Sequence, residues 1–193
     1  MNLFELEKLS ALLLHVPRLV DLYENKDYVF IREVKRWFAE TEYILKIARL
    51  PVVSDVAAWR ASIIAAERGL RPEELKLPEL ASKGRVRDAV AIHSLGEAQK
   101  KVLAAVERDH DTFFQADKML RGILVTASRK GIFNNETQPP FTPEKLKSLW
   151  TRLIADEDVG LPTSQVLAII GYRDALALVQ RILEEWAQDQ NNT

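Results

Sequence analysis

The sequence predicts an all-α fold, a bundle of about six to eight helices with a long central helix or helical hairpin. Three observations predict it. Apolar residues recur at spacings of three and four along most of the chain, which is the period of an amphipathic helix. No segment shows the alternation of a half-buried strand. No proline, the residue that most reliably breaks a helix, occurs between Glu79 and Gln138.

Three helices are predicted in the first eighty residues. The apolar stripe of the first helix consists of Leu6, Leu9, Leu13, Val16, Val20 and Tyr23. Pro17 lies inside this helix and predicts a kink or a split near His15. The second helix is expected from about 26 to 49, and its apolar stripe is wide enough for burial between two neighbours. The third is expected to be capped by Ser54 and to stop at Gly69.

A linker at 70–82, with two prolines, leads into the longest helical segment. Apolar residues keep helical spacing from Lys83 to about Lys130, so this segment is one helix or a hairpin of two. A compact domain favours the hairpin. The polar run at 109–112 is the best place for its turn, since Asp and Thr favour turns and caps, and Gly96 is a second candidate.

The last third of the chain predicts a smaller helical unit. Residues 131–141 are rich in turn formers and predict a loop. Thr142 followed by Pro143 predicts the capped start of a helix. Residues from Thr163 to Gln188 predict two helices joined at Gly171.

These elements suggest a main helical bundle at 1–130 and a C-terminal helical unit at 141–188 packed on it, with one single domain at 1–188 as the alternative. The chain has no cysteine, so disulfides and thiolate chemistry are excluded, and we expect a cytoplasmic protein. The leucines near the N-terminus are interrupted by charges and predict an amphipathic helix, not a signal peptide or a membrane span.

Charge is distributed unevenly along a chain whose formal net charge is −1. Residues 81–131 carry ten Lys and Arg against six Asp and Glu, whereas residues 132–193 carry five against nine. The middle is therefore mildly basic and the last third mildly acidic. Neither reaches the level expected of a dedicated nucleic-acid binder.

One short pattern suggests catalysis. Arg87-Asp88, four residues and His93 resemble the signature of HEPN-type ribonucleases, which are small all-helical bundles. The resemblance implies that Arg87 and His93 are catalytic, that Asp88 orients them, and that two copies of the motif meet in a homodimer. An arginine can hold a phosphate with two hydrogen bonds while a histidine moves the proton of a ribose hydroxyl.

The spacing of this motif leaves a second interpretation open. Six positions along a regular helix place two side chains about 120° apart, so Arg87 and His93 need the partner copy in order to converge. Otherwise they are a surface arginine and a boundary histidine on an ordinary amphipathic helix.

A second pattern, Glu107-x-x-His110, is similar to one half of the di-iron site of ferritin-like bundles. The other half requires a second such pair, and neither His15 nor His93 has a glutamate three positions earlier. We therefore expect no metal and no cofactor, and a solvated turn at 107–112.

A third pattern is the helical pair joined at Gly171. The segment Gly171-Tyr172-x-Asp174 followed by Leu178 resembles the second reading head of AraC-type regulators, which implies DNA binding through a helix-turn-helix at 163–186. The basic residues of the second helix are opposed by acids, a departure from that pattern because reading helices present basic and amide groups to DNA. The alternative is a helical hairpin that closes the bundle.

The sequence thus favours a non-enzymatic interaction or regulatory protein acting through protein–protein contacts, with a protein partner or self-association. The positive indication is that the first two helices carry more apolar positions than one interface needs. The alternatives are the homodimeric ribonuclease and the DNA-binding regulator.

Overall fold

The computed structural model describes residues 1–71, 82–133 and 139–191 and confirms the all-α fold. Within these residues it contains seven helices and no strand. They are α1 (Leu3–Glu24), α2 (Phe30–Ile47), α3 (Val53–Glu67), α4 (Lys83–Arg129), α5 (Pro143–Ala155), α6 (Gly160–Ile170) and α7 (Tyr172–Asn191). None of the helices in the described part of the chain is both long and apolar enough to cross a bilayer.

The chain divides into two compact units, Met1–Asp109 and His110–Thr193. The N-terminal unit contains α1, α2, α3 and the first part of α4, and the C-terminal unit contains the rest of α4 with α5, α6 and α7. The predicted domains 1–130 and 141–188 stay a prediction, because the compactness of contacts does not test independent folding.

Helix α1 begins with a capping box. The Asn2 side chain accepts a hydrogen bond from the Glu5 backbone N–H, and the Glu5 carboxylate accepts one from the Asn2 N–H, both at 2.9 Å. Pro17 lies inside an uninterrupted α1, so the predicted split near His15 is wrong. The burial of Val16 and Leu19 around the proline explains this, since packing outweighs one missing backbone hydrogen bond.

Helices α1 and α2 pack antiparallel. The Tyr23 and Phe30 rings are 5.3 Å apart next to the connecting loop, and the Trp37 Nε1–H donates to the Leu12 carbonyl at 2.7 Å further along. Chain positions therefore run in opposite directions along the two helices. The largest fully buried side chains of these two helices are Leu9, Leu19, Trp37, Phe38 and Leu45.

Ion pairs give the directions of the next two helices. Lys35 pairs with Glu67 at 3.0 Å and Arg60 pairs with Glu42 at 2.9 Å, which makes α3 antiparallel to α2. Lys101 Nζ on α4 lies 3.8 Å from the carboxylate of Asp55 at the start of α3. Lys83, at the start of α4, lines a pocket together with Glu67 at the end of α3. The first part of α4 is therefore antiparallel to α3, and the N-terminal unit is an up-and-down four-helix arrangement.

Helix α4 runs without interruption from Lys83 to Arg129, so the predicted turn at 109–112 is wrong, as is the one at Gly96. Burial explains the difference. Val106 and Phe113, which flank the polar run seven residues apart, are both buried at helical spacing. The Asp109 carboxylate is bound by the Met1 amine at 3.0 Å, so it caps no turn.

Two predicted boundaries near the N-terminus also differ from the structure. Helix α2 begins at Phe30 instead of residue 26, because Lys26 has a positive φ of 54° and the Asp27 carboxylate accepts from the Val29 N–H at 2.9 Å. Helix α3 begins at Val53, so Ser54 lies inside it and is not its cap. The predicted linker at 70–82 falls mostly outside the described residues, as do residues 134–138 of the predicted loop.

The C-terminal unit follows the predicted order of elements. The Thr142 hydroxyl accepts from the Lys145 N–H at 3.4 Å and caps α5, as predicted. Helix α6 starts at Gly160, three residues earlier than predicted, and Pro162 is tolerated in its first turn. Gly171, at a φ of 79°, joins α6 to α7, which confirms the helical pair.

Candidate functional site

Arg87, Asp88 and His93 all lie on α4 in the N-terminal unit. The Asp88 carboxylate accepts from Arg87 Nε at 2.9 Å and pairs with its Nη2 at 2.8 Å, and both side chains are partly exposed. His93 is exposed. On an unbroken helix Arg87 and His93 are about 9 Å apart along the axis and about 120° apart around it. Within one chain the helix therefore separates them, and their catalytic role stays a prediction.

Arg87 lines a small pocket of about 300 Å³ together with Glu67, Lys83 and Gly84. The Glu67 carboxylate in it is also bound by Lys35 from α2. His93 does not line this pocket. The pocket thus joins cations and a carboxylate without the histidine that the ribonuclease motif requires.

Glu107 and His110 are exposed on α4. The His110 ring lies parallel to that of Phe114, with centroids 6.4 Å apart and an interplanar angle of 10°. Among the residues that the structure describes, no three His, Cys, Asp or Glu side chains form a group that could hold a metal ion. The segment is solvated as predicted, but it is helical and not a turn.

The helical pair α6–α7 presents its second helix to α4 of the same unit. The Arg181 guanidinium donates to Asp117 on α4 at 3.0 Å, and Glu185 accepts from Arg121 at 2.6 Å. These contacts hold charged side chains of α7 within the unit. DNA binding by this pair stays a prediction.

A different surface has a concentration of exposed apolar side chains. We call it the α1–α2 outer face, and it consists of Phe4, Lys8, Ala11 and Leu14 on α1 with Tyr43 and Ile47 on α2. Four of these are large apolar side chains with high exposure, namely Phe4 (60%), Leu14 (82%), Tyr43 (63%) and Ile47 (50%). They lie opposite the buried stripes of their helices, so the core leaves them in solvent.

A groove of about 580 Å³ runs along this face between the two helices. It is lined by Lys8, Ala11, Leu12, Leu14, His15, Glu40, Tyr43 and Ile44. Most of the lining is apolar, with a cation on α1 and a carboxylate on α2. A recess of this composition can take an apolar side chain from another molecule.

The charged residues beside the groove already have local partners on their own helices. Lys8 Nζ lies 5.5 Å from the centroid of the Phe4 ring, and Glu40 pairs with Arg36 at 2.8 Å. Both pairs are exposed and contribute little to stability. They leave the apolar centre of the groove open to solvent.

The first two helices carry more apolar positions than one interface needs, but their spacing does not show which of these remain exposed. Phe4 and Leu14 lie outside the stripe that contains Leu6, Leu9 and Leu13. Phe4 and Leu14 lie about three turns apart on the opposite side of α1, and this spacing is visible in the sequence. Only the packing of α1 shows that nothing else in the described chain covers them.

A comparison of the chain with protein-family models, curated proteins and solved structures finds no match. Any function assigned to the chain therefore rests on its own residues.

Proposed function

We propose that this chain is a non-enzymatic interaction protein that binds a protein partner through the α1–α2 outer face. The observation that carries the proposal is the groove between α1 and α2, because two of its lining side chains, Leu14 and Tyr43, are large, apolar and highly exposed. Phe4 and Ile47 are exposed further along the same two helices. Single exposed apolar residues are ordinary on a protein surface, but exposed apolar side chains that line the same groove are typical of an interaction site.

The size of the face supports a reversible association. Burying one fully exposed large apolar side chain contributes about 1.5–3 kcal/mol, so these four, which are 50–82% exposed, together contribute less than about 6–12 kcal/mol. Association costs about 4–15 kcal/mol in lost freedom of motion. The gain does not exceed the cost, so the face favours a reversible contact over a permanent complex.

The shape and lining of the groove indicate what kind of partner segment fits it. Two antiparallel helices form its walls, and apolar side chains line it over about two turns of α1. A helix with apolar residues at spacings of three and four fits such a groove.

Site-specific photo-crosslinking in cell extract tests this proposal. Tyr43 and Tyr28 are each replaced by benzoylphenylalanine. Tyr28 is the matched control because it is 92% exposed, lies outside the face and has the same original side chain. We expect a discrete adduct from position 43 and none from position 28, with the adduct identified by mass spectrometry. Equal labelling at both positions, or none at position 43, would overturn the proposal.

The two alternative functions predict other observations. A ribonuclease would cleave RNA as a homodimer in a reaction that depends on Arg87 and His93. A DNA-binding regulator would bind duplex DNA with an affinity that falls steeply as salt increases, and truncation at Glu136 would abolish it.

A further inference from the structure

We propose, resting on the proposed function, that the α1–α2 outer face binds the same face of a second copy of this chain. The two copies form a two-fold symmetric pair in which their α1 helices run antiparallel and cross at Ala11.

Ala11 provides the crossing point. It is exposed and lies on the outward side of α1, with Phe4 two turns before it, Leu14 one turn after it and Arg18 two turns after it. The distance between packed helices depends on the side chains at their contact, and an alanine allows a close approach. The larger residues on both sides of Ala11 then interdigitate with those of the other copy.

Two-fold symmetry determines which residues meet. In an antiparallel pair crossing at Ala11, the residue three positions after it faces the residue three positions before it, so Leu14 of each copy faces Lys8 of the other. Lys8 lines the groove. Leu14, the most exposed leucine among the described residues of the unit, therefore reaches the groove of the second copy, where the apolar stem of Lys8 packs beside it.

The two ends of the outward side of α1 are also complementary between the copies. Seven positions on either side of Ala11 lie Phe4 and Arg18, so Phe4 of each copy faces Arg18 of the other. A guanidinium over an aromatic ring is a favourable cation–π contact. Arg18 is exposed, so its guanidinium is accessible to the second copy.

The parallel alternative fits poorly. Parallel α1 helices would place Arg18 beside Arg18 and Lys8 beside Lys8, and like charges repel. The antiparallel pair brings each cation to an apolar or aromatic partner. It also satisfies the requirement of a two-fold interface that one surface complement itself.

Disulfide trapping tests the geometry, since the chain has no cysteine of its own. An Ala11→Cys variant places one thiol on the two-fold axis, where the two Cα atoms come within the range of about 4.4–6.8 Å that a disulfide needs. Ala104→Cys, another exposed alanine of the same unit, is the matched control. Under mild oxidation we expect covalent dimers of Ala11→Cys and not of Ala104→Cys on a non-reducing gel. Equal trapping of both variants, or of neither, would overturn the geometry.

Analytical ultracentrifugation of the purified chain tests the association itself. We expect a monomer–dimer equilibrium in which Leu14→Lys raises the dissociation constant by at least about tenfold. The control is Leu161→Lys, which alters another highly exposed leucine (70%, against 82% for Leu14) in the other unit and should leave the equilibrium unchanged. Circular dichroism checks that both variants are as helical as the original chain.

The outcomes separate this inference from the proposed function. A chain that stays monomeric while position 43 crosslinks to a different protein overturns the second copy as occupant and leaves the proposed function standing. A monomeric chain with no adduct at position 43 overturns both. A dimer that Leu14→Lys does not weaken places the contact elsewhere and also overturns the inference.

Discussion

Asp117 on α4 and Arg181 on α7 are joined by a hydrogen bond of 3.0 Å from Arg181 Nη2 to Asp117 Oδ1. The other Asp117 oxygen accepts from Arg121 Nε at 2.8 Å, and Arg121 also binds Glu185 at 2.6 Å. With Arg181 Nε 3.9 Å from Glu185, two acids and two arginines form a closed ring. The pairs follow the same order along both helices, so α7 runs parallel to α4 in this unit.

We expect Asp117→Asn to lower the free energy of unfolding by about 1–2 kcal/mol at neutral pH. The variant keeps the shape of the side chain but removes the charge that both arginines bind. Asp111→Asn, the same change on an exposed residue of the same helix, is the control and should have little effect. Urea unfolding followed by circular dichroism measures both. An equal loss of free energy of unfolding in the two variants would show that the ring does not stabilise the fold.

The ring also predicts a dependence on pH. Burial alone raises the pKa of the Asp117 carboxyl, but hydrogen bonds from Arg121 and Arg181 outweigh it and hold the pKa below its usual value. The stabilisation is therefore complete above the unfolded pKa of about 3.9 and is lost as pH falls through the lower pKa of the folded chain. Unfolding curves between pH 7 and pH 2 should show a smaller acid-induced loss for Asp117→Asn than for the original chain. Parallel losses would contradict the assignment.

Gly160 is required where α6 begins against the end of α5. A Cβ atom at this position would collide with the backbone carbonyl oxygen of Ile154, which has no side-chain freedom to move away. We expect Gly160→Ala to destabilise the chain by about 1–3 kcal/mol. Gly122→Ala, two turns before the end of α4, meets nothing within 4 Å and should stabilise the chain by about 0.5–1 kcal/mol. Thermal unfolding of the two variants should move in opposite directions, and a neutral Gly160→Ala would refute the close approach.

Two buried threonines differ in their hydrogen bonding. Within the described part of the chain the Thr41 hydroxyl has no hydrogen-bond partner, whereas the Thr163 hydroxyl donates to the Val159 carbonyl at 2.7 Å. We expect Thr41→Val to raise the free energy of unfolding by about 1 kcal/mol, because a buried hydroxyl without a partner is unfavourable. Thr163→Val should lower it by a similar amount. Denaturant midpoints that shift in the same direction would contradict this distinction.

The ribonuclease hypothesis is tested by substitution of His93. Arg87 is held by Asp88 and is separated from His93 around the helix, so we expect neither the original chain nor His93→Ala to cleave a fluorescent RNA. His110→Ala is the control for loss of an exposed histidine on the same helix. Cleavage that disappears in both His93→Ala and Arg87→Ala, but persists in His110→Ala, would establish the ribonuclease instead.

Local chemistry explains which elements the sequence predicts well. The Thr142 cap with Pro143 behind it and the joint at Gly171 depend on residues a few positions apart, and both are confirmed. Pro17 and the polar run at 109–112 follow equally good local rules, yet both lie inside unbroken helices. At these positions the burial of neighbouring apolar residues outweighs the local preference.

The α1–α2 outer face is likewise predicted only in part by the sequence. An apolar excess on the first two helices is visible in the sequence, but Phe4 and Leu14 differ from Leu6 and Leu9 only in the side of α1 on which they lie. The packing of α1 against α2 determines which side of α1 faces solvent. The hydrogen bond from Trp37 to the Leu12 carbonyl is one contact of this packing.

Helical period, composition and the absence of prolines between Glu79 and Gln138 were enough to predict an all-α chain with one long helical segment, since each reflects interactions within a few turns. Whether that segment bends, which apolar side chains stay in solvent, and which arginines are engaged with acids were decided only by contacts between distant parts of the chain. Burial and ion pairing across helices are worth as much as a turn or a cap, and the identity of the neighbours cannot be seen from local spacing.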